Sequence, residues 1–204
     1  MSTAVVVDIE LLREHARIAA VVDGHAKNGD ENALFSFATK DGNSEAIRVR
    51  AGQHLISLHT AKGDDGALDG LRHIATSEDI LQITRTDAGL KLIALHSSTM
   101  DIDFHAIRWL AMNDGCAPAV RDAAGAKLIN FYATCNDESG RRNGLKSIAD
   151  DSRFTSATRQ AARNHLAAVE LARQHATDVR SLEKKQPLDA RSVQAVYTRQ
   201  GRAG

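Results

Sequence analysis

With 204 residues, 43% hydrophobic and 25% charged, the chain has the make-up of an ordinary globular protein, enough for one large domain or two small ones that fold without staples. Cys116 and Cys135 are too far apart for a CxxC metal or redox motif, and reduced, buried thiols are expected. No run reaches roughly 18 uninterrupted apolar residues, the usual spanning threshold. The opening "MSTAVVVDIELLREHARIAAVV" has no basic start, and Asp8, Glu10 and Glu14 interrupt it. A membrane span and a signal peptide are thus not expected, and the cytoplasm is the expected compartment.

Charge is uneven although the total is zero. Residues 140–204 carry 13 basic and 6 acidic side chains, against 13 and 20 in residues 1–139, about +7 and −7. Such asymmetry suggests different partners for the two halves, or halves that attract each other. Aromatics are only 4%, so the core must come from Leu, Ile, Val and Ala, and self-association would help its stability.

In chain order, residues 8–23 read as a helix, with Ile9, Leu12, Ala16, Ala19 and Val22 at steps of three and four. The period then shortens. "ALFSFATK" (33–40) alternates, "EAIRVR" (45–50) sets Ile47 and Val49 opposite Arg48 and Arg50, and "QHLISLHTA" (53–61) follows a turn at Ala51 and Gly52. Three strands in an antiparallel meander are expected. A short helix falls within 62–76. "DILQITRT" (79–86) and "LKLIALH" (90–96), separated by Asp87, Ala88 and Gly89, read as a second hairpin.

From residue 98 the rhythm is helical. Ser98 and Asp101 suggest a capping box for a helix to Met112, and Pro118 opens another over 118–135. "NDESGRRNG" reads as a linker. A long helix from Thr155 to about Lys185 carries an Ala-rich stripe, and Pro187 stops it. No internal repeat and no low-complexity tract is read. The fold class is therefore α+β: an N-terminal helix plus a small antiparallel sheet over 1–97, then an all-helical part over 98–204 with one long helix and a basic tail.

The ordering "AIRVRAGQHLISLHTA", "GDDGALDGLRHIAT", "DILQITRT" resembles the PATAN-type domain of bacterial signalling proteins over residues 8–86. Ile47, Val49, Gly52, Leu55, Ile56 and Ala61 take its hairpin positions, and Gly66, Ala67, Leu68 and Leu71 its helix positions. The resemblance implies a protein-interaction module without chemistry, attached to signalling and surface-motility machinery.

Chemical motifs are sparse. His54 and His59 have odd spacing, so a regular strand would put them on opposite faces. "LHTA" and "LHSS" raise a two-histidine phosphoesterase through His59 and His96, but Thr60 sits next to His59 rather than two residues on. Asp101, Asp103 and His105 would converge only in a strand. There is no Walker A, no GxGxxG after a strand, no HExxH and no nucleophile elbow, which lowers the case for an enzyme. No cofactor, metal or catalytic residue is assigned. The candidate partner-binding residues are Arg48, Arg50, Arg141, Arg142, Arg159, Arg163, Arg173, Arg180, Lys184 and Lys185. The expected function is a non-catalytic protein–protein adaptor or regulator, with a homodimer as an option. The alternatives are a nucleic-acid-associated protein using the basic rear and, third, the histidine phosphoesterase.

Overall fold

The computed structural model describes residues 9–63, 65–97 and 103–185. Among these there are nine helices and no strand: α1 (Ile9–Lys27), α2 (Glu31–Thr39), α3 (Glu45–Lys62), α4 (Asp65–Thr76), α5 (Gln82–Ser97), α6 (Phe104–Met112), α7 (Pro118–Thr134), α8 (Glu138–Asp150) and α9 (Ser156–Lys185). The expected α+β fold and its antiparallel sheet are thereby corrected to an all-helical architecture.

The correction has a local cause. Ser44 caps α3, accepting from the Ile47 amide at 3.4 Å, and the buried residues are Ile47, Ala51, Gly52, Leu55 and His59, at helical steps. The alternation at Ile47 and Val49 reflects a helix packed on several sides: α3 touches α1, α2, α4 and α5. Residues 33–40 fall on α2 and its C-cap, where Asp30 caps the start and Leu34 and Ala38 are buried one turn apart. Residues 82–97 form the single helix α5, so neither hairpin exists, including the one implied at Ile47–Ala61 by the PATAN resemblance. "NDESGRRNG" is no linker either. Asp137 accepts from the Ser139 and Gly140 amides at 3.2 and 2.7 Å and starts α8. In contrast α7 begins at Pro118 as expected, and α9 covers the expected long helix. Asp103 rather than Ser98 caps α6; Ser98, Asp101 and Pro187 lie outside the described residues.

The helices also form a repeat, where none is expected from the sequence. Each unit is a short helix followed by a long one: α2–α3, α4–α5, α6–α7 and α8–α9. Leu34, Leu71, Ile107 and Leu145 occupy one position of the short helices, spaced 37, 36 and 38 residues apart, and all are buried. Ala38, Ala75, Ala111 and Ala149 follow one turn later. On the long helices, Arg48, Arg85, Arg121 and Arg159 recur at the same intervals, each with a buried Ala three residues on and a Leu seven residues on. Consecutive units stack into an α-solenoid whose core runs unbroken from Val22 to Ala162.

Two devices set the stacking. The first is a glycine four residues after the arginine. A Cβ on Gly52 would lie 2.3 Å from Thr84 Cγ2, one on Gly89 2.5 Å from Val120 Cγ2, and one on Gly125 2.5 Å from Thr158 Cγ2. Bare backbone is what lets each long helix accept the next. The second is the arginine itself. Arg48 Nη2 donates to the Asp79 carbonyl at 2.9 Å, Arg85 Nη2 to the Gly115 carbonyl, and Arg121 Nη2 to the Arg153 carbonyl at 2.7 Å. Every acceptor sits six residues before the next arginine, in the turn of the following unit. Each guanidinium thus ties its own long helix to the next unit's turn, satisfying a carbonyl that neither helix ladder uses.

The ends differ from the middle. α1 packs on α2 and α3, burying Val22. In α9 the glycine position carries Arg163, and the position of His59, His96 and Tyr132 carries Glu170. The side of α9 that corresponds to the stacking surface of the other units thus carries Arg163 and Glu170.

Candidate docking face

The arginine-defined register fixes which side of each long helix points away from the core. At 100° per residue, the positions two before, two after and five after the arginine lie within about 60° of one another, opposite the buried stripe. In the four units these are Ala46, Arg50 and Gln53; Ile83, Asp87 and Leu90; Ala119, Ala123 and Ala126; Ala157, Ala161 and Asn164. Stacking sets the four outward faces side by side. Ile83 is 55% and Leu90 43% exposed, so α5 offers two large apolar side chains to solvent. Beside them, Asp122, Ala126, Ile129, Ala157, Thr158 and Ala161 line a mostly apolar depression of about 200 Å³ between α7 and α9. Its size falls below the roughly 300–1,000 Å³ of small-molecule and cofactor sites. It suits a side chain rather than a cofactor.

The position six after the arginine carries His54, Lys91, Lys127 and His165. In the first unit α1 engages it. Asp23 accepts from Arg50 Nε and Nη2, both at 2.6 Å, and lies 2.9 Å from His54 Nε2. The Arg50 guanidinium, with His54 second, holds the Asp23 carboxyl far below the usual carboxylate range. Lys91 and Lys127 make no ion pair among the described residues.

The expected partner-binding residues are placed differently from that face. Arg48 donates to the Ala38 and Asp79 carbonyls and pairs with Asp41 at 3.0 Å, while Arg50 is bound to Asp23. Arg141 donates twice to the Cys135 carbonyl, Arg142 pairs with Glu170 at 2.7 Å, and Arg163 donates to the Ala149 carbonyl at 3.2 Å. Arg159 has a buried Nε with no partner. Arg173 reaches Glu170 at 3.8 Å, and Arg180 is exposed on α9. Lys184 and Lys185 end α9, with side chains outside the described residues. Among the described side chains of this set, most are held in contacts within the chain. The outward residues of α5 and α7 were not among the expected ones; the signal that marks them is the thrice-written pattern Arg-x-x-Ala-Gly-x-x-Leu at 48–55, 85–92 and 121–128.

The histidines do not converge. His59 is buried in the joint between the first two units, its ring against Gly70, where a Cβ would sit 2.1 Å away. Its Nε2 is 3.8 Å from Glu31 and its Nδ1 has no partner. His96 holds the same position one unit on, with Nδ1 3.4 Å from Asp103. Burial pushes both imidazoles below their ordinary pKa, more than the adjacent carboxylates raise them. Among the described residues no three His, Cys, Asp or Glu side chains are grouped to hold a metal ion. The exposed Trp109 lies on α6 and is stacked by the Arg72 guanidinium at 5.4 Å. No helix among the described residues is long and apolar enough to cross a membrane. No known protein family, curated protein or solved structure matches the chain.

Proposed function

We propose that this chain is a non-catalytic scaffold that docks another protein on the outward face of its long helices. The observation that carries the reading is the exposure of Ile83 and Leu90 on α5, with an apolar depression between the next two long helices, α7 and α9. Apolar side chains exposed singly are ordinary, whereas a contiguous apolar patch marks an interaction surface, and Ile83 and Leu90, seven residues apart, share one face of α5. Solenoids supply such extended surfaces from neighbour-to-neighbour packing alone.

The test is a paired capture experiment. Immobilised wild-type chain and an Ile83→Asp, Leu90→Asp double variant are exposed to the same lysate, with circular dichroism confirming equal helicity. Proteins held by the first and released by the second are the expected result. Identical retained sets would refute the proposed face.

A further inference from the structure

We infer that the occupant of this face is an acidic amphipathic helix of another protein; the inference rests on the docking reading above and adds the chemistry of the partner. Lys91 and Lys127 occupy the same position of consecutive units, on adjacent packed helices, so their stems start about 8–10 Å apart. Both are exposed and neither has an ion-pair partner among the described residues. The single carboxylate nearby on the outward face of α5 is Asp87, one turn before Lys91 and in no ion pair with it. Asp122, on the flank of α7, accepts from the Thr155 and Thr158 hydroxyls and is engaged within the chain. In the first unit the counterpart of these lysines is His54, whose Nε2 lies 2.9 Å from Asp23, a carboxylate that also pairs with Arg50. That contact sets a carboxylate against the His54 position, with Arg50 as its ion-pair partner; α5 and α7 carry Asp87 and Ala123 in place of Arg50.

The apolar part of the face sets the rest of the pattern. Ile83 and Leu90 stand on α5, and the depression floored by Ala126 and Ala161 lies across α7. A helix laid across the units would place apolar residues over these two points, and carboxylates two turns apart, about 10 Å, over the two ammonium groups. A basic helix would meet the lysines with like charge. A neutral one would leave both ammonium groups partly desolvated and unmatched.

The full chain is used to select binders from a displayed library of random peptides. The best peptides are measured by fluorescence anisotropy against wild type, a Lys91→Glu, Lys127→Glu variant and the Ile83→Asp, Leu90→Asp variant. The expected outcome is peptides rich in Asp and Glu with apolar residues at helical spacing, weakened about tenfold or more by either variant. Neutral or basic peptides that still depend on Ile83 and Leu90 would overturn the acidic partner while leaving the docking face standing. Peptides indifferent to both variants, or no enrichment at all, would overturn both. Retention of random-sequence DNA by wild type, lost on charge reversal, would assign the lysines to phosphate and overturn the inference.

Discussion

Replacing Gly89 by alanine pits two opposing effects against each other. In a solvated helix, Gly→Ala stabilises by about 0.5–1 kcal/mol, because alanine loses less backbone entropy on folding. At Gly89 the new methyl would stand 2.5 and 2.6 Å from the two γ-carbons of Val120 and 3.1 Å from its Cβ. The neighbour is a short, branched core side chain with no free end to swing aside, so α5 and α7 must separate. Overpacking of this kind costs about 1–3 kcal/mol, and the net expectation is a loss of about 1–2 kcal/mol. Gly24, inside α1, has nothing within 4 Å of the place its methyl would take and serves as the internal control. Gly24→Ala should gain about 0.5–1 kcal/mol from propensity alone. Urea unfolding followed by circular dichroism measures both. Val120→Ala removes the two clashing carbons, so the Gly89→Ala, Val120→Ala pair should be less destabilised than the sum of its singles. If Gly89→Ala stabilises as much as Gly24→Ala, the glycine is not a stacking contact, and the packing account of the solenoid fails.

Arg121→Ala should cost about 1–3 kcal/mol, since it strips the Arg153 carbonyl of its donor and leaves Asp114 without its 2.7 Å partner. Native-state hydrogen exchange should show the α8–α9 turn opening first. Asp137→Ala removes the acceptor for two amides at the start of α8 and should cost about 1 kcal/mol, read as faster exchange confined to residues 138–142. Stability should also fall with acid. His59 and His96 have pKa values lowered by burial, so below the unfolded value of about 6.5 the unfolded chain binds protons that the folded chain refuses. The loss begins as the pH drops through that value and levels off beneath the folded pKa values. Denaturation midpoints from pH 8 to 5 should decline less steeply in a His59→Gln, His96→Gln variant, and parallel profiles would refute the assignment.

The second half of the fold was legible because its punctuation is ordinary. Pro118 opens α7 at the position where a missing amide costs nothing. The apolar residues of α9 fall at helical steps because only part of its circumference is covered. The first half misleads for the opposite reason. α3 is packed on several sides, so half-buried Val49, Ile56 and Leu58 fill the gaps between the buried residues and blur the 3.6 period. Gly52 and Gly89 read as turns because glycine breaks elements on average. Here each lacks a side chain so that the next helix can approach, a reason that exists only in the assembled stack and has no local trace.

The same register explains why the proposed docking face escapes a residue-by-residue reading. Counting cations singles out Arg48, Arg141, Arg159 and Arg163, yet a guanidinium is also the side chain best able to span two elements and donate several bonds at once. In this chain those arginines are largely structural: three of the four donate to backbone carbonyls. Lys91 and Lys127 look ordinary in sequence, each a lone cation beside alanines and leucines. Only alignment of the units puts them in one row near Ile83 and Leu90, with no ion-pair partner among the described residues. Charge used to hold the stack together cannot also meet a partner, so the informative cations in a solenoid are the ones its own turns leave unused.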